Sequence, residues 1–129
     1  MLLDDLSTFL VAQGIATPIQ KGSIAESPDT VLALRETGGY PASHVMSVSA
    51  GQAILEEPTV QIVARAMAYD TAETLIRSIK TLLDGLRNQT INGVQYHWVS
   101  ALQPPFLLER DANQRFVLAF NVHVKRQTV

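Results

Sequence analysis

The chain has 129 residues, 47 % of them hydrophobic and 17 % charged, a composition that sets aside intrinsic disorder and allows one domain with a self-sufficient core. Ten basic against twelve acidic side chains leave a formal charge of −2, so the molecule as a whole has no bulk attraction for a phosphate backbone or an anionic membrane. With no cysteine, disulfide frameworks, thiolate catalysis and cysteine-based metal centres are excluded.

At the N-terminus, Asp4 and Asp5 stand where a signal peptide would be basic, and no apolar run approaches the roughly 18 residues of a membrane span. A cytosolic origin and no membrane partner are the expectation. Leu2, Leu3, Leu6, Phe9 and Leu10 share one helical face, the two acids favour the first turn, and Gly14 stops a helix of about residues 2–13. Short strands are expected at Ile19-Gln20-Lys21 and from Thr30 to Glu36. From Gly38-Gly39-Tyr40-Pro41 to Glu56-Glu57, just before Pro58, neither period holds, and a long loop over 38–57 is predicted, with room for a short strand at Val45, Met46 and Val48.

Thr59 to Tyr69 alternates with apolar residues on both faces, which predicts a central strand. Asp70-Thr71-Ala72-Glu73 reads as a capping box, and Leu75, Ile76, Ile79, Leu82, Leu83 and Leu86 continue an amphipathic helix over about 71–87. Asn92-Gly93 is a turn signal, after which Val94 to Leu102 alternates, with Val94, Tyr96, Trp98 and Leu102 expected on one face. Pro104-Pro105 breaks that strand. A short piece at Phe106 to Glu109, a polar turn at Asp111 to Gln114 and a strand from Arg115 to Arg126 complete the chain, the last with Phe116, Leu118, Phe120, Val122 and Val124 facing the core. Together these elements predict an α+β domain in which two helices pack on one face of a mostly antiparallel sheet.

Chemistry is sparse. Nucleophile-elbow, phosphate-loop, dinucleotide-binding and zincin motifs are absent, and no cofactor is expected. His97 and His123 can begin a metal site only with a third ligand, which no motif spacing supplies, so they read as partly exposed strand histidines. Asp4/Asp5 and Glu56/Glu57 read as a helix first turn and a solvated loop rather than carboxylate dyads. Arg115, Lys125 and Arg126 read as a solvated strand edge.

Several features stand in one order: Pro58-Thr59-Val60-Gln61-Ile62, the helix from Glu73 to Leu86, Asn92-Gly93-Val94-Gln95-Tyr96, Pro105-Phe106-Leu107, and Asp111 followed by Arg115-Phe116-Val117 and Phe120-Asn121-Val122. This run resembles the tail-terminator, or tail-completion, proteins of long-tailed bacteriophages, often labelled minor capsid proteins. The resemblance implies a structural virion protein of the head-tail junction that forms a homo-hexameric ring on the tail tube and stops its polymerisation. Its implied partners are further copies of itself, the tail tube protein and a connector or stopper of the head's neck, with DNA passing through the lumen only transiently. A ring needs a heterologous interface that closes. The apolar residues of the long loop are the candidates for it: Tyr40, His44, Val45, Met46, Ile54 and Leu55, joined by Glu56 and Glu57, which could also line the lumen. The alternatives are a neck or stopper protein on the head side and, in a different class, a small-molecule-binding module with its pocket between helix and sheet near Tyr96 and Trp98. A small hydrolase using His97 or His123 lacks a positioned nucleophile.

Overall fold

The computed structural model describes residues 2–43 and 55–127, with backbone alone at 40–43. Helix α1 (Leu2–Ala12) is followed by strands β1 (Ile19–Lys21), β2 (Val31–Ser43) and β3 (Leu55–Ala66), helix α2 (Tyr69–Leu83), and strands β4 (Leu86–Ile91), β5 (Val94–Ala101), β6 (Phe106–Arg110) and β7 (Phe116–Gln127). The seven strands form one sheet in the order β1-β2-β3-β7-β5-β4, with β6 on β7 beyond the end of β5. Only β1 and β2 pair in parallel. The class is α+β, as the alternation and the two amphipathic stretches predict.

One face of the sheet carries both helices. Leu2, Leu6 and Leu10 of α1 and Ala72, Ile76, Ile79 and Leu83 of α2 interlock with Leu32, Leu34, Ile62, Ala64, Leu118, Phe120 and Val122 in one core. The opposite face is narrower in its apolar content: Ala33, Val63, Val117 and Ala119 pack beneath Ile24 of the β1–β2 connection. Strand β3 is therefore buried on both faces in its second half, which accounts for its nearly continuous run of Val, Ile and Ala.

Four local expectations are corrected. The predicted loop over 38–57 is in part a continuing hairpin, since β2 extends to Ser43 and β3 begins at Leu55. Its punctuating residues serve the ladder: Pro58 has no N–H to donate, and β2 shifts register between Glu36 and Gly39 where it passes that residue. Gly39 (φ +147°) lies against Pro58 so closely that a Cβ there would stand 2.6 Å from the Glu57 carbonyl oxygen. What reads as a loop start is a bulge in a strand.

Helix α2 spans Tyr69–Leu83 and not 71–87, and Ala68 at its N-cap has no side-chain bond, so Asp70 and Glu73 form no capping box. Tyr69 is drawn into the first turn by an edge-on contact with Phe116, ring centroids 5.7 Å apart. At the other end Gly85 (φ +83°) turns the chain and donates its N–H to Val99, while the Asp84 carboxylate accepts from Ala101 at 2.8 Å. Those bonds start β4, so Leu86 belongs to the sheet and not to the helical stripe. Asn92 and Gly93, both with positive φ, then close the β4–β5 hairpin as their dipeptide predicts.

In β5 a register shift between Tyr96 and Trp98 breaks the expected alternation. Tyr96 and Val99 face the helices, whereas Trp98 meets His123 on the opposite face with ring centroids 4.6 Å apart. Finally, β7 is no edge: β3 lies along one side of it, β5 and β6 along the other.

Two substitutions check this architecture by urea denaturation. Ile79→Ala truncates a fully buried side chain and is expected to cost about 2–5 kcal/mol. Gly39→Ala removes no contact, yet its Cβ would strike the β3 backbone, and a loss of about 1–3 kcal/mol is expected. A change under about 0.5 kcal/mol in either, the range of ordinary surface substitutions, would contradict the packing described.

Candidate functional site

Of the residues expected to form an interface, His44, Val45, Met46 and Ile54 lie outside the described residues. Tyr40 sits on the β2 backbone opposite Glu57, and Leu55 opposite Ser43 and Gln127, so both belong to the hairpin ladder. Glu56 and Glu57 are neighbours on β3 and their side chains emerge on opposite faces of the sheet. Each meets a side chain of β7: Glu56 accepts from Arg126 Nε at 2.9 Å, and Glu57 Oε1 lies 3.2 Å from His123 Nε2. The two acids are thus cross-strand partners at the base of the hairpin. His123 is correspondingly more covered than the sequence suggested, with 15 % of its side chain exposed. No described contact joins it to His97, and among the described residues no three His, Asp or Glu side chains gather to hold a metal ion.

The Glu56–Arg126 pair is one end of a chain of polar groups under α1. Arg126 Nη1 reaches the Tyr96 hydroxyl at 3.4 Å, that hydroxyl donates to Asp5 Oδ2 at 2.6 Å, and Asn92 Nδ2 donates to Asp5 Oδ1 at 2.9 Å. Asp5 stands in the first turn of α1 as its position predicts, and at 1 % exposed it is also a buried anchor. The reason is tertiary: α1 lies across the β4–β5 turn, which supplies two donors to the carboxylate. Burial, and then the bond to Asp5, raise the Tyr96 phenol above its ordinary value. A group that must stay neutral and donating is a strut, not a proton shuttle at physiological pH.

The opposite face has its own buried charges. Arg65 and Arg115 are each 3 % exposed, and both grip the β1–β2 connection. Arg65 donates to the carbonyls of Pro28 at 2.6 Å and of Glu26 and Asp29 at 3.3 Å. Arg115 bonds the Glu26 carbonyl, Asp29 Oδ1 at 3.2 Å and Asp111 Oδ2 at 2.8 Å. Burial, with the adjacent Arg115 charge, lowers the Arg65 pKa. For Asp111 burial acts upward, but the backbone and side-chain bonds from Arg115 outweigh it and hold the carboxyl below its usual range. A recess of about 280 Å³ beside these residues is lined by Glu26, Asp111 and Asn113 together with both guanidinium groups. Its cations are spent on the connection, and it offers no nucleophile with an adjacent base. Arg115 and Arg126, expected on a solvated edge, are therefore structural clamps. Tyr96 and Trp98, expected to share a pocket, stand on opposite faces of the sheet.

What remains conspicuous is a surface. Every residue of β6 is exposed, Phe106, Leu107 and Leu108 among them, and Leu102, Met67 and Tyr69 add further exposed apolar side chains. An edge strand with three successive large apolar residues is the pattern by which proteins pair with other chains.

A curled, mostly antiparallel sheet with two helices on one face, with Asp5, Arg65 and Arg115 bonded internally and with exposed apolar side chains on β6, defines an α+β class of protein. The family described as bacteriophage tail terminator protein matches residues 9–128, nearly the whole chain, and the protein belongs to it. It is accordingly a structural protein of the phage tail, a component of the virion. Among curated proteins none matches. One solved structure, whose name states no function, is similar to this chain with a TM-score of 0.58 at 16 % identity, covering 99 % of this chain and 92 % of its own. At that identity the likeness shows the fold alone.

The buried Tyr96–Asp5 bond has a measurable consequence. The Tyr96 pKa is raised on folding, so its contribution is complete below the ordinary phenol value of 10.0 and is lost as pH rises beyond it. Tyr96→Phe leaves the buried Asp5 short of a donor, and a loss of about 1–3 kcal/mol at neutral pH is expected from urea titration. Above the phenol range the gap between Tyr96→Phe and the unaltered protein should narrow. A gap that widens with pH would refute the assignment.

Proposed function

We propose that the protein closes into a homo-hexameric ring on the finished tail tube, halts tube polymerisation, and presents its other ring face to the connector or stopper of the head at the head-tail junction. The observation that carries this reading is the family match over residues 9–128. The physical chemistry is in keeping with it. A near-neutral molecule of charge −2 assembles with protein rather than condensing on DNA, and DNA passes through the ring only transiently. Polar groups that would serve catalysis are consumed in holding α1 and the β1–β2 connection to the sheet. Ring closure requires two different surfaces on each copy, and a sheet with open edges at both ends can provide them. The hairpin of β2 and β3, with His44, Val45, Met46 and Ile54 between those strands in sequence, remains a candidate contact in the ring or on the tube.

The test is reconstitution. Purified protein added to polymerising tail tube protein is expected to shorten the tubes in proportion to its concentration, with a ring visible at one tube end by electron microscopy. Native mass spectrometry should give six chains in that ring, following the closed symmetry such assemblies adopt. Tubes of unchanged length distribution with no terminal ring would dispose of the proposal.

A further inference from the structure

Among the described strands three have an open side, and they are not alike. At one end lies β1, which is only Ile19–Lys21; Lys21 is tied to Asp4 at 2.6 Å, and the Gln20 side chain accepts from the Ala25 N–H. At the other end lies β4, whose exposed run is polar, Arg87-Asn88-Gln89-Thr90, and which Asn88 interrupts with a φ of +52°. A lysine, a very short strand, polar side chains and a left-handed residue are the devices by which an edge is kept from pairing indiscriminately. Strand β6 carries none of them through its first three residues. Phe106, Leu107 and Leu108 are 37 %, 48 % and 41 % exposed, β7 bonds one side of the strand, and no described strand lies on its other side. Burying these groups in water-free contact would be favourable, and the outer N–H and C=O groups await partners.

We propose that the outer edge of β6 pairs with β1 of a second copy, so that the sheet continues from one subunit to the next. This rests on the ring reading above, because a closed ring needs a contact between two unlike surfaces of the same chain. Charge supports the choice of partner. Beyond its apolar residues β6 carries Glu109, and β1 carries Lys21. An antiparallel pair of β1 strands would set Lys21 against Ile19 and leave it without a charge partner across the edge, whereas β1 against β6 can set Lys21 opposite Glu109, an attractive cross-strand pair. Direction supports it too. Strand β1 is parallel to β2, and each step from β2 through β3 and β7 to β6 is antiparallel, so β1 and β6 run in opposite senses. Copies related by rotation about an axis along the strands therefore bring them together antiparallel, the arrangement with the better hydrogen bonds. With Lys21 opposite Glu109, Gln20 falls opposite Arg110, and Leu108, Leu107 and Phe106 fall opposite Gly22, Ser23 and Ile24, the residues that follow β1.

The absence of native cysteine makes this contact directly testable. A chain carrying both Lys21→Cys and Glu109→Cys, assembled and mildly oxidised, is expected to yield a ladder of disulfide-linked chains ending at the ring. Directly opposed residues of an antiparallel pair are within disulfide reach. Each single variant should stay unlinked. Independently, Glu109→Lys should abolish the ring seen by native mass spectrometry while leaving the circular dichroism spectrum unchanged, and adding Lys21→Glu should restore it. A ring that forms normally in the double-cysteine chain without a ladder overturns this contact and leaves the ring reading intact. Dimers from the Glu109→Cys chain alone also overturn it, in favour of β6 against β6. An unaltered protein that forms no ring with tube protein present overturns both.

Discussion

The pairing of β3 with β7 is the constraint on which the rest depends. From Leu55 opposite Gln127 to Ala66 opposite Phe116, the two strands keep one register over their whole length. A slip of one residue would exchange Ile62 and Phe120 for Gln61 and Asn121 on the helix face, so hydrophobic burial holds the register tightly. Helix α2 covers this pair on one side, and β2, β5 and β6 attach along its flanks. The cross-strand pairs Glu56–Arg126 and Glu57–His123 then fasten its open end on both faces.

Buried charge follows from that geometry. A domain of this size has too few apolar residues to cover both faces of a seven-stranded sheet, and the helices take one of them. The other is closed by the connection between β1 and β2, whose carbonyls turn inward and need donors. Arg65 of β3 and Arg115, just before β7, supply these donors from neighbouring positions. Removing one guanidinium would strand several acceptors at once, so the two act as a unit. On the helix face the same logic pairs Asp5 with Tyr96 and Asn92, which fixes how α1 lies across the β4–β5 turn. These buried polar side chains are committed to backbone and to one another.

Among the described residues, what is left uncommitted is an edge. The bends at Leu102 to Pro105 end β5 and let β6 continue along β7 past the reach of β4. The cost is five exposed residues with three large apolar groups in sequence. An exposed apolar edge of this kind is the pattern by which a strand can add to another chain.

How much of this was legible depends on whether the determining interaction is local. Both helices, the strands around 19–21, 31–36, 59–66, 94–101 and 116–126, the Asn92-Gly93 turn and the α+β class followed from periodicity, because a helix stripe or a strand alternation is written in neighbouring residues. The resemblance of Pro58 to Lys125 to tail terminators rested on such positions and agrees with the family the chain belongs to. Gly38, Gly39 and Pro58 misled, because the same residues that start and end loops also form a bulge when a strand passes a proline, and only the partner strand decides which. Likewise the shift at Tyr96 to Trp98 arises from pairing with β7 and reverses the face of every later residue in β5. Arg115 read as a solvated edge and Asp5 only as a first-turn acid, because the roles of Asp5, Arg65 and Arg115 needed partners 91, 37 and 89 residues away in the chain. The sequence by itself determined which segments alternate and what they bury. The tertiary structure alone decided where charges lie buried and which edge stays open, since both depend on contacts between residues that are far apart along the chain.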